Sequence, residues 1–168
     1  MRTTGLTTAI VKGAGVCAIV LSAAACGSSS PSGPSTGAAA TAAITKAYET
    51  LFDLANPALA PKIAVIQDGA ALSSAFSGIL KSPLAKLAGG ANVISTAPLS
   101  ASGCQSHNLP APCDSVKFNI VSTKGKVLLR DSGFAVYAAE GGGTWLVAKV
   151  TVCGLLSLAA GGKTPQGC

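Results

Sequence analysis

The feature that most limits how this 168-residue chain can fold is a change of hydrophobic period at Gly89-Gly90. On the N-terminal side apolar residues recur at helical spacing; on the C-terminal side they alternate with polar ones, the spacing of a strand with one buried face. Helices gathered in one half and strands in the other predict an α+β domain, with N-terminal helices packed on a curved antiparallel sheet of about four strands and a short C-terminal helix.

In the first half, Ile44, Tyr48, Leu51, Phe52 and Ala55 form one stripe and predict a helix over 38–54, with Lys46, Glu49, Thr50 and Asp53 off it. Asn56-Pro57 ends that helix, because the residue before proline disfavours helical backbone. Residues 57–69 read as a short irregular or helical crossing. Over 70–88, Leu72, Phe76, Ile79, Leu80, Leu84 and Leu87 share a face, and Pro83 splits or kinks the helix, with Ser82 placed as an N-cap. Gly89-Gly90 then ends the helical half.

Strands are expected over 92–99, 115–122, 126–139 and 144–152. Val116, Phe118 and Ile120 give the core face of the second, and Leu146, Ala148, Val150 and Val152 that of the last. Thr123-Lys124-Gly125 and residues 140–143 supply turns, Ser132-Gly133 suggests a bulge, and a closing helix is expected over 153–160.

At the N-terminus, Arg2 and Lys12 with no acid precede an apolar run from Ala14 to Ala25, the layout of an export signal. About 12 apolar residues at roughly 1.5 Å each span about 18 Å of a roughly 30 Å hydrocarbon core, so the segment reads as a cleaved leader and not as a membrane span. Cleavage before Cys26, in Leu21-Ser22-Ala23-Ala24-Ala25-Cys26, would leave an acylated cysteine holding the chain on the outer face of the cell membrane. Ala23-x-Ala25 also suits ordinary secretion, which is the alternative. Cysteine arithmetic favours the lipid: of six cysteines, the leader removes Cys17 and acylation takes Cys26, leaving Cys104, Cys113, Cys153 and Cys168. The expected organisation is a signal peptide over 1–25, the lipidated cysteine and a flexible Ser/Gly/Pro tether over 26–37, and a single domain over 38–168.

Four cysteines allow three pairings; the local one, Cys104 with Cys113 and Cys153 with Cys168, is expected, at about 2.7 and about 3 kcal/mol by loop entropy. The spacings lack Cys-x-x-Cys and an exported chain meets oxidant, which argues against zinc. Removing Arg2 and Lys12 with the leader leaves ten bases and six acids, a formal charge of +4. The bases are scattered and form no nucleic-acid stripe. His107 stands alone in a polar loop, so neither a metal cage nor a Ser-His-Asp unit is expected, and the glycine pairs match no nucleotide-binding loop. Asp53 and Asp68 read as a helix end and a turn, and Trp145 as a packing residue or an exposed ring. No catalytic residue, cofactor or metal is expected.

Several short motifs occur in a telling order: Phe52-x-x-x-Asn56-Pro57, Lys62-Ile63-Ala64-Val65-Ile66-Gln67-Asp68-Gly69, Gly143-Thr144-Trp145-Leu146-Val147-Ala148-Lys149, and Thr151-Val152-Cys153-Gly154-Leu155-Leu156 with a late Pro165 and Cys168. Together they resemble a family of actinobacterial exported proteins, those with the C-terminal domain of the mycobacterial low-molecular-weight secreted antigen. The resemblance covers residues 40–168 and implies a cone-shaped, cystatin-like or nuclear-transport-factor-2-like domain with no established activity. The leading expectation is a non-catalytic envelope lipoprotein whose domain binds a protein or glycan. The alternative is a binder or carrier of small apolar or lipid ligands in a helix-over-sheet cavity; a cone-cavity hydrolase or isomerase is the least favoured.

Overall fold

The computed structural model describes residues 34–140 and 143–168; the expected signal peptide and Cys26 lie outside them. The first helix, α1 (Gly37–Phe52), buries Ile44, Tyr48, Leu51 and Phe52 as the stripe requires, together with Ala40 and Ala47. It stops two residues early: Asp53 leaves helical backbone, and Ala55 of the expected stripe is exposed. The crossing segment holds α2 (Leu59–Ala64), then reaches the sheet, where Ile66 bridges Val147 in parallel. Pro83 separates α3 (Gly69–Leu80) from α4 (Pro83–Leu87), and the Ser82 hydroxyl accepts from the Ala85 amide at 3.4 Å, as an N-cap should.

The strands β1 (Ala88–Pro98), β2 (Cys113–Ser122), β3 (Val127–Ala138) and β4 (Thr144–Val147) pair antiparallel in sequence order as a curled half-barrel. Between β1 and β2 runs a short helix, α5 (Ala101–Ser106), where the sequence suggested only a loop; α6 (Lys149–Ala159) closes the domain. The helix-then-strand order thus gives the α+β architecture expected.

Three local expectations are corrected. Gly89-Gly90 does not end the helical half but enters β1 at a register shift, and a Cβ on Gly89 would stand 2.6 Å from the Thr123 Cα. The bulge of the β2–β3 pair falls not at Ser132-Gly133 but at Leu128, since Ile120 faces Leu129 and Val121 faces Val127. Gly133 stays in register; its lack of a side chain lets α6 approach, a Cβ there being only 2.3 Å from Thr151 Cγ2. The last strand ends at Val147, five residues early, and its core face is Trp145 and Val147; Val150 is exposed and Val152 is buried from α6. What ends β4 is tertiary: the Ala148 amide donates to the Phe134 carbonyl, and the Lys149 amide donates to the Gln67 side chain.

The main core is clamped between α1, the sheet and α6. Tyr48 and Phe118 rings sit 5.0 Å apart, with Phe52 stacked on Phe118 at 5.8 Å. A smaller cluster of Cys104, Leu109, Cys113, Val136 and Ala148 fills the end beneath α5. At that end lie the start of α1 and the end of β1, joined by a Thr41–Thr96 hydroxyl contact. At the other end lie the end of α1, the start of β1 and the β2–β3 turn. The domain therefore has two unlike ends.

Candidate functional site

The end that carries the β2–β3 turn is hollow. A cavity of about 370 Å³ opens between α1, α3, the sheet and α6, within the roughly 300–1,000 Å³ range of small-molecule sites. Phe52 and Leu54 come from the end of α1, Ile79 from α3, Ile120 from β2, Leu128 and Leu129 from β3, and Leu155 and Leu158 from α6. Every lining residue is apolar. Such a wall offers dispersion contacts and exclusion of water, and its side chains present no donor, acceptor or titratable group to a reacting centre.

The bulge explains why the mouth stays open. With Leu128 left unpaired, the first turn of β3 turns two successive leucines toward the hollow, and both remain partly exposed. A shallower groove of about 480 Å³ lies behind α3 and the C-terminal tail, lined by Ser74, Ser82 and Gln166 among others. It is mixed in polarity and open.

The sequence-nominated residues fall elsewhere. Cys104–Cys113 and Cys153–Cys168 are the two disulfides, as the local pairing predicts, and none of the four cysteines lines the cavity. His107 ends α5 and rests on the Phe134 ring at 4.4 Å between centroids. Asp53 ends α1, and Asp68 precedes α3 with φ 52°, matching their structural readings. Trp145 is buried, edge-on to Tyr137, and its indole donates to Ser35 Oγ at 3.0 Å. The chain is therefore already docked at Ser35, inside the expected tether.

The motif residues prove architectural. Val147 and the Val65–Gln67 stretch exchange backbone bonds, joining two of the motifs. Lys62 is buried, and its ammonium donates to the Asp53 carbonyl at the end of α1, where a cation suits the helix dipole. Burial pushes the Lys62 amine below the usual lysine range, against the pull of the Asp53 carboxylate. No motif signalled the cavity; the available signal was the run Val127-Leu128-Leu129, which breaks alternation.

Asp114 lies at the opposite end with 5% of its surface exposed. Burial raises its carboxyl above the ordinary range. The folded state therefore holds this proton more tightly than the unfolded chain does, so the group weakens the fold as pH rises past the unfolded value of about 3.8 and is neutral below it. Asp114→Asn is expected to raise the melting temperature at pH 7 and to leave it unchanged at pH 3; an equal gain at both pH values would contradict this.

Against protein-family models, curated proteins and solved structures, the chain matches none. Among the described residues no group of three His, Cys, Asp or Glu stands ready for a metal, and no helix is long and apolar enough to cross a membrane. The two disulfides fit an oxidising, extracellular setting.

Proposed function

We propose that the chain is an exported protein, anchored to the outer face of the cell membrane through acylated Cys26, whose domain holds a small apolar molecule or a single acyl chain without chemically altering it. The observation that carries this reading is that every side chain lining the cavity of about 370 Å³ is apolar. It favours the apolar-ligand alternative over a protein or glycan partner, because sugar hydroxyls need polar partners that the lining does not offer. It also speaks against a hydrolase or isomerase, which requires converging titratable groups. Kinship with the actinobacterial exported family is part of the same proposal, and it rests on the motifs that build the α1–α2 corner and the β4–α6 junction.

Native mass spectrometry of the detergent-extracted protein from its own host tests the anchor and the ligand together. The mature mass is expected to show a diacylglyceryl addition at Cys26, two disulfides and one retained apolar molecule. Leu155→Trp narrows the cavity from α6. Loss of room for two methylenes, at about 0.8 kcal/mol each, weakens binding of a fluorescent fatty acid at least about tenfold. Absence of both a retained molecule and probe binding would sink the ligand reading, whereas absence of the lipid alone would sink the anchor.

A further inference from the structure

We infer that the cavity mouth is a membrane-docking surface, which the domain lays on the face of an anionic lipid bilayer so that an acyl chain passes between the bilayer and the cavity. This rests on the reading of the cavity as an apolar-ligand site and adds where the ligand enters. Two observations support it, one apolar and one electrostatic.

Exposed large hydrophobic residues concentrate at one end of the domain. Leu128 (44% exposed), Leu129 (37%) and Leu158 (65%) form the cavity rim, and Leu87 (59%) and Val127 (37%) flank it without lining it. Leu87 belongs to this end because its carbonyl accepts from the Thr123 amide of the β2–β3 turn at 3.3 Å. Of the described residues exposed in this way, only Ile94 and Val150 lie elsewhere. A patch of this kind around a pocket mouth marks an interaction surface.

The charges around the patch choose the partner. Lys86 adjoins Leu87, Lys124 and Lys126 flank the turn before Val127, and Arg130 follows Leu129; all four are exposed. Two acids, Asp53 and Asp131, lie close by, so the bases at this end outnumber the acids four to two. Asp53, at the end of α1, acts on the Lys62 ammonium, and Asp131 accepts from its neighbour Ser132 at 2.8 Å. Apolar side chains ringed by exposed bases complement an anionic headgroup layer over hydrocarbon. A protein partner would need a fitted surface of opposite charge; the bilayer supplies charge and apolar depth without one.

The test uses a chain starting at Gly27, which keeps every contact described above and carries no lipid of its own. Its co-sedimentation with phosphatidylcholine vesicles, with and without phosphatidylglycerol, is measured beside fatty-acid probe binding in solution. Binding is expected only to the anionic vesicles, falling with added salt. Lys124→Gln with Lys126→Gln lowers the partition about 30-fold, at about fivefold per charge. Leu87→Asp and Val127→Asp abolish vesicle binding yet leave probe binding intact, since neither residue lines the cavity, and Ile94→Ser changes neither readout. Probe binding without vesicle binding overturns the docking and spares the cavity reading. Vesicle binding that is indifferent to the Leu87, Val127 and lysine substitutions also overturns the docking. Vesicle binding with no probe binding sinks the cavity reading and the acyl passage with it, leaving only a membrane-binding face.

Discussion

Tyr48→Ala is expected to cost about 3–5 kcal/mol of stability, the largest effect of any single substitution proposed for this domain. Tyr48 is wholly buried and its ring packs on Phe52 and Phe118, so truncation opens a void where α1 crosses the sheet. Its hydroxyl matters far less. The Phe134 carbonyl that it contacts at 3.1 Å also accepts from the Ala148 amide at 2.9 Å and lies 3.4 Å from the Thr151 hydroxyl. Tyr48→Phe leaves that acceptor satisfied, so its cost is that of one neutral hydrogen bond, about 0.5–1.5 kcal/mol. Burial drives the Tyr48 phenol well above the usual tyrosine range, so no ionisation complicates the comparison near neutral pH. Urea denaturation of both variants checks the pair; equal losses would mean that the hydroxyl and not the ring fastens α1.

Removing the Cys104–Cys113 disulfide by paired alanine substitution is expected to cost more than removing Cys153–Cys168, although the chain-entropy model ranks them the other way. Loop closure alone gives about 2.7 kcal/mol for the first and about 3 for the second. Burial reverses the order. Cys104 and Cys113 are both fully buried in the small cluster under α5, whereas Cys168 is exposed at the end of the tail. Replacing two buried sulfur atoms forfeits roughly another 1–2 kcal/mol of apolar contact. The same geometry predicts that a thiol reductant opens Cys153–Cys168 in the folded protein while Cys104–Cys113 resists until unfolding. Thermal melts of the two double variants, and mass mapping after mild reduction, give the answer; simultaneous reduction would contradict it.

How much of this was legible in the chain varies by element. The α1 stripe, the break at Pro83, the β2 alternation and the cysteine pairing each depend on nearest-neighbour chemistry, and the structure follows them. The β4–α6 boundary was not legible, because Ala148-Lys149-Val150-Thr151-Val152 alternates like a strand. Its conversion to helix depends on Phe134, 14 positions upstream, taking the Ala148 amide, and on Gln67 taking that of Lys149. A helix-over-sheet cavity was expected only as the alternative reading, and its lining was not legible for a related reason. Leu51, Ile79, Ile120 and Leu155 come from four different elements, and each alone reads as an ordinary core residue. Only their failure to meet makes a hollow, and the one stretch that hints at it is Val127-Leu128-Leu129, where the alternation breaks.

The helix α1 has one more consequence, because it separates the two ends of the domain. Its 16 residues amount to about 24 Å at roughly 1.5 Å per residue, with Ser35 fixed near its start and the cavity rim at its finish. The nine residues leading from the anchor proposed at Cys26 to Ser35 reach at most about 32 Å when drawn out straight, at roughly 3.6 Å each. Laying the rim on the bilayer thus consumes most of the leash and stands the domain on its open end. Ser35, pinned by Trp145, is the zero mark of a ruler: the distance from that pin to the lipid decides whether the mouth meets the membrane or hangs above it.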